Sequence, residues 1–139
     1  MKRLVLFFAL AWAAAGIALA ASVPELFQKA KTEFAAGKYP AALESLDALK
    51  AESDKPENEK YRAQLAPALA FYRGATLASL GKADAARAEF ETYIELQPGA
   101  TVDPKSYSKQ VVAAFEQAKK SREKNAAGDT GLNASYSQF

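Results

Sequence analysis

The chain is 139 residues long, with 18 Lys and Arg, 16 Asp and Glu, no His and no Cys. Without His or Cys there is no Ser-His-Asp triad, no cysteine nucleophile, no disulfide framework and no conventional structural zinc site. The length suits one domain, and half of the residues are apolar but many of these are alanine, which implies a core made by close helix packing and few large side chains.

Lys2 and Arg3 open the chain, an apolar run extends from Leu4 to Ile17, and Ala18-Leu19-Ala20 follows as a small-x-small cleavage signal. This is the layout of a secretory signal peptide over residues 1–20, with the cut expected after Ala20. The alternative is an uncleaved anchor, because Leu4 to Ala21 could just span a thinned bilayer. Weak, alanine-rich hydrophobicity and the cleavage signal favour removal, after which no integral membrane span is expected. The missing cysteine excludes a standard bacterial lipoprotein. Residues 1–20 hold two basic and no acidic residue, so the mature chain carries sixteen of each and a formal net charge of zero. A balanced surface argues against nucleic acid or anionic lipid as the main partner.

From Val23 onward the sequence is rich in Ala, Glu, Lys, Leu and Gln, which are strong helix formers. Gly37, Lys55-Pro56, Gly81-Lys82, Pro98-Gly99 and Asp103-Pro104 divide it into helical stretches near 23–36, 40–53, 57–80, 83–96 and 105–124. Each stretch carries an apolar stripe at helical spacing. The stripes are Leu26, Phe27, Ala30 and Phe34; then Ala42, Leu43, Leu46 and Leu49; then Phe71, Ala75 and Ala78, with Leu77 beside them. Ala86, Phe90, Tyr93 and Ile94 form the fourth stripe, and Tyr107, Val111, Phe115 and Ala118 the fifth. No run alternates as a strand would, so the expected fold class is all-α. Pro67 falls inside the third stretch and is expected to kink or interrupt it. Its outer half then carries Tyr61 and Leu65 into the same bundle. The helical domain is placed at 21–124, and the Gly, Ser, Asn and Asp of 125–139 read as a flexible tail.

An internal repeat carries the functional argument. Gly37-Lys38-Tyr39-Pro40-Ala41-Ala42 aligns with Gly81-Lys82-Ala83-Asp84-Ala85-Ala86, each between an outgoing and a returning helix. The second unit runs through Gly74, Leu77, Gly81, Ala86 and Phe90 to Pro98, and this order of small, large, turn, small, aromatic and closing residues resembles the tetratricopeptide repeat. In such a unit Gly74 and Ala86 mark a close helix crossing, and Phe90 fills the gap between hairpins. The first unit matches at Ala30, Gly37, Tyr39, Ala42 and Leu46, but Lys29 and Glu33 stand at positions that are usually apolar. The two turn glycines are 44 residues apart, against a family period of about 34, which places an insertion near Glu52–Arg62. An unrelated alanine-rich bundle is the alternative. The fifth helix is expected to cap the array.

The resemblance implies a short α-solenoid of two hairpins whose first helices line a concave face. Carried over by position, that partner-binding face shows Phe27, Lys31 and Phe34 from the first unit and Phe71, Ala75 and Ala78 from the second. Aromatics beside a lysine suit an extended peptide or a partner helix. The alternative is that the phenylalanines complete the core. The resemblance implies a set of Lys, Asn and Arg where a terminal carboxylate is gripped; Lys31 is the one match, so that mode is not supported. The acidic groups Glu57/Glu59 and Glu89/Glu91/Glu95 read as solvated helix faces and not as a metal or acid–base site. No cofactor, metal or catalytic residue is expected. The function expected is an exported protein-binding or scaffolding module of the bacterial periplasm or cell envelope. With two repeats where three or more are usual, self-association or docking on a larger partner is expected. The alternative is the N-terminal segment or remnant of a longer envelope protein whose functional domain lies elsewhere.

Overall fold

The computed structural model describes residues 21–136, so the leader expected over 1–20 lies outside the described residues. Five α-helices follow one another: α1 (Val23–Ala35), α2 (Tyr39–Ser53), α3 (Glu59–Ser79), α4 (Ala83–Leu96) and α5 (Lys109–Tyr136), with a 3-10 turn at Pro56–Asn58. There is no strand among the described residues, and the fold is all-α. The first four helices form two hairpins, and α5 lies against the second.

Helix boundaries follow local chemistry. At the start of α1, Ser22 donates through its backbone N–H (2.8 Å) and its hydroxyl (2.9 Å) to one carboxylate oxygen of Glu25, occupying groups that the first helical turn leaves without backbone partners. α1 ends at Gly37, whose φ of 71° is open to glycine at little cost. Its N–H donates to the Phe34 carbonyl (3.0 Å) and that of Lys38 to the Glu33 carbonyl (2.9 Å). α3 ends the same way: Gly81 has φ 78°, Gly81 N–H reaches the Ala78 carbonyl (3.0 Å), and Lys82 N–H reaches the Leu77 carbonyl (2.9 Å). Both turns are therefore Schellman motifs. In each, the residue after the glycine then accepts the first bond of the next helix, from Ala42 or Ala86, at 2.9 Å.

The segment between the hairpins is absorbed by the 3-10 turn and by a long α3. Asn58 donates its side-chain amide to the Glu52 carbonyl (2.9 Å), and Arg62 donates to the Asp54 carbonyl (2.8 Å). α3 runs continuously through Pro67, so the helix is not interrupted there. The part of α3 before Pro67 packs Tyr61 and Leu65 against a cluster formed by Val23, Ala30, Leu46, Leu49 and Leu69.

A second cluster joins α3, α4 and α5 through Ala75, Leu77, Ala78, Ala86, Phe90, Val111, Ala114, Phe115 and Ala118. Ala30, Ala42 and Ala86 are at 1% exposure or less, and Gly74 is also buried. A methyl group on Gly74 would sit 2.9 Å from two ring carbons of Phe90, which explains the glycine by close approach alone.

The fifth helix starts later than expected. Asp103 accepts from the Lys105 N–H (2.9 Å) and the Ser106 hydroxyl (2.7 Å), closing a turn behind Pro104. Asp and Pro at these places favour a turn over a helix start. Tyr107 thus precedes α5 and leaves the stripe assigned to it, while Val111, Phe115 and Ala118 keep theirs. At its other end α5 continues to Tyr136, past Lys124 where the tail was expected to begin. Extending an existing helix needs no new nucleus.

Candidate functional site

Phe71 and Tyr72 are neighbours on α3 and point about 100° apart around its axis, so one residue pair serves both hairpins. Tyr72 turns toward α1 and meets Phe27 edge-on at a centroid distance of 5.8 Å and Phe34 at 5.7 Å. Phe71 turns the other way, to Phe90 (6.0 Å), Tyr93 (5.3 Å) and Tyr107 (5.2 Å). Phe71 and Tyr72 also contact each other, at 5.5 Å and 82°. The rings form a continuous chain from α1 to the segment before α5. Edge-to-face pairs of this kind add about 0.5–1.5 kcal/mol each beyond area burial.

This chain opens on a groove of about 330 Å³ lined by Pro67, Ala68, Phe71, Tyr72, Tyr93, Gln97, Thr101 and Tyr107. Phe71 and the three tyrosines are half-buried, while Gln97 and Thr101 are exposed. No charged residue lines it. The Tyr107 phenol is held above its ordinary value of 10.0, first by burial and then by the nearby Tyr72 and Tyr93 phenols. Charge on this ring is disfavoured both by lost solvation and by its neighbours.

The sequence-predicted partner face divides on inspection. Phe27, Phe34 and Phe71 are half-buried, each with an edge in the aromatic chain. Lys31 places its ammonium 5.1 Å from the centroid of the Phe27 ring, a cation–π distance. Ala75 and Ala78 are not on an open face: they are 0% and 3% exposed, in the cluster where α5 packs. α5 covers that part of α3, because Val111, Ala114 and Ala118 offer small side chains that let the helices approach. Tyr72, Tyr107, Gln97 and Thr101 were missed as groove residues. Tyr72 lies next to Phe71 in sequence, which was a usable signal, but the turn that delivers Tyr107 was not legible as such.

The three carboxylates of the Glu89, Glu91 and Glu95 group have basic partners. Glu89 accepts from the Arg73 guanidinium at 2.8 Å, Glu91 lies 3.7 Å from Arg87, and Glu95 pairs with Arg122. Among the described residues no group of three or more His, Cys, Asp or Glu could hold a metal ion. Arg73 also pairs with Asp47, so it ties α2 to α4 across α3. A second hollow of about 240 Å³ between α2, α3 and α4 has Arg73, Leu69 and the exposed Leu96 in its lining, and its charged groups pair largely with one another. No helix among the described residues is long and apolar enough to cross a membrane.

No protein-family model, curated protein or solved structure matches this chain. The residues and their geometry alone therefore bear on function.

Proposed function

We propose that the chain is an exported, tetratricopeptide-like binding or scaffolding module of the bacterial cell envelope. It holds a segment of a partner protein in the groove between α3, α4 and the loop before α5. One observation carries the reading. Phe71 stands beside three half-buried tyrosines, Tyr72, Tyr93 and Tyr107, that line one uncharged groove. Half-buried aromatics with polar tips are the side chains that anchor protein interfaces, because they bring large contact area at small entropic cost.

The repeat reading is supported by the two hairpins, which turn through the same hydrogen bonds at Gly37 and Gly81 and cross at small residues. In this reading α5 caps the second hairpin. Export rests on the leader pattern of residues 1–20. Catalysis has no nucleophile–base pair to rest on, and the reading assigns none.

The test is affinity capture from envelope extract, comparing the purified protein with Phe71→Ala, each first checked for helicity by circular dichroism. The expected outcome is a partner retained by the native protein and lost with the folded variant. Equal capture by both, or no retention by the native protein, overturns the reading.

A further inference from the structure

The groove does not end where Tyr107 stands. Ala68, Tyr72, Ala75 and Ser79 follow one another at helical spacing along α3 and share one side of it within about 60°. Ala68 and Tyr72 line the groove of about 330 Å³. Ser79 lines a second hollow of about 220 Å³, together with Phe34, Tyr39, Ser106 and Val111. Tyr107 is the one residue that lines both. Ala75 lies between them on α3, lines neither and is 0% exposed, in the cluster against which Tyr107 packs. The two hollows are therefore the ends of one trough, and Tyr107 partitions it over Ala75. From Ala68 to Ser79 the helix rises about 16 Å, the length of about five residues of extended chain.

The segment that carries Tyr107 is tied down by few contacts. Its hydrogen bonds are internal: the Ala100 N–H donates to the Gln97 carbonyl (3.1 Å), and Lys105 and Ser106 donate to Asp103. Among the described residues no hydrogen bond or ion pair joins 98–107 to α1, α2 or α3. What holds the segment is apolar, with Ala100, Val102 and Tyr107 against the second cluster and the Tyr107 ring 5.2 Å from that of Phe71. The other rings of the aromatic chain all stand on helices. A connection with so few fastenings can open well below the free energy of global unfolding. α5 need not move with it, since Val111, Phe115 and Ala118 are sealed in the cluster.

We infer, on the reading that this groove holds a partner segment, that residues 97–108 form an autoinhibitory strap. Tyr107 occupies the middle of the trough and lifts from Phe71 before a partner can lie along α3 from Ala68 to Ser79. The strap competes with the partner, so the affinity observed is lowered by the fraction of molecules in which the strap is docked. Lifting it joins Phe34 and Tyr39 at one end of the trough with Tyr93 and Gln97 at the other.

The chain has no cysteine of its own, so single introduced thiols report on opening. Ala75→Cys and Ala86→Cys replace residues that are both 0% exposed, the first beneath the strap and the second on α4, lining neither hollow. N-ethylmaleimide is expected to label Ala75→Cys about tenfold or more faster than Ala86→Cys, at a rate that low urea hardly changes, because lifting the strap exposes little surface. Adding Tyr107→Ala should speed Ala75→Cys by a larger factor than Ala86→Cys. Should Ala75→Cys not fold, Ser79→Cys, a near-isosteric change in the smaller hollow, carries the same comparison. In envelope capture Tyr107→Ala should retain about threefold or more partner than the native protein, since the strap no longer competes; a ring that only contacted the partner would retain less. Equal labelling of the two buried thiols with equal urea dependence, or unchanged or reduced capture by Tyr107→Ala, overturns the inference. If Phe71→Ala abolishes capture and Tyr107→Ala reduces it, the strap falls and the groove stands. If neither the native protein nor Tyr107→Ala retains a partner, both fall.

Discussion

Both hairpins turn on a left-handed glycine, but the first buries aliphatic side chains and keeps its aromatics near the surface, whereas the second encloses Phe90 completely. In the first, Leu46 and Leu49 are at 1% exposure or less, and Phe27 and Phe34 stay half-buried against Tyr72. In the second, Phe90 meets Phe115 of α5 at 5.6 Å, and both rings are nearly inaccessible because α5 packs against the hairpin there. The first hairpin also carries a polar tie, with the Ser45 hydroxyl donating to Glu33 at 2.6 Å. This tie gives the half-buried Glu33 carboxylate a partner. The difference teaches that one turn design supports two kinds of interior, and that the third layer decides which aromatics are sealed and which remain available.

The sharpest way to break the comparison is to truncate one ring in each region. Phe90→Ala is expected to cost about 3–5 kcal/mol, and Phe27→Ala, which loses only a half-buried ring, about 1–2 kcal/mol. Urea denaturation of both variants measures the gap; equal losses would mean that the two interiors are equivalent. Gly74→Ala asks whether the second crossing is as tight as the 2.9 Å approach to Phe90 implies. Overpacking there is expected to outweigh the better helix propensity of alanine, for a net loss of about 1–2 kcal/mol in the same assay. A stabilised variant would show that the ring moves freely.

Arg73 links the regions, since it reaches Asp47 on α2 and Glu89 on α4 with a side chain 19% exposed. Arg73→Ala is expected to cost about 1 kcal/mol. It should lower protection in native-state hydrogen exchange more in α1 and α2 than in α4 and α5. Uniform loss would show that the link does not hold the hairpins together. The smallest effect is expected at alkaline pH. Tyr107 has its phenol raised in the folded state, so the folded chain keeps a proton that the unfolded chain releases. That contribution is fully present below the ordinary tyrosine value of 10.0 and is lost as pH rises through the raised folded value. A thermal-melt series over that range should fall less steeply for Tyr107→Phe than for the native chain. Identical slopes would mean that the phenol is as solvated folded as unfolded.

Much of the fold was legible because helix propensity and glycine turns act locally. The stretches ending at Gly37 and Gly81 lie within one or two residues of the observed helices. The resemblance to the tetratricopeptide pattern implied small residues at close packing positions, and Ala30, Ala42, Gly74 and Ala86 are all buried. Non-local terms decided what local ones left open. Pro67 was expected to kink or interrupt the third stretch, and α3 runs through it without interruption, its packing against both clusters offsetting one missing backbone bond. Ala75 and Ala78 were placed on a binding face and lie buried instead, since a periodic stripe does not say which neighbour covers it.

The sequence by itself determined the first four helices and the two glycine turns within their hairpins, because these depend on residue type and on neighbours along the chain. The tertiary structure decided which stripe meets which. It brought Tyr72, Tyr93 and Tyr107 from α3, α4 and the loop before α5 into one groove, and it closed α5 over the second hairpin. Residues 35 positions apart share that groove through helix packing, a contact that no local pattern encodes.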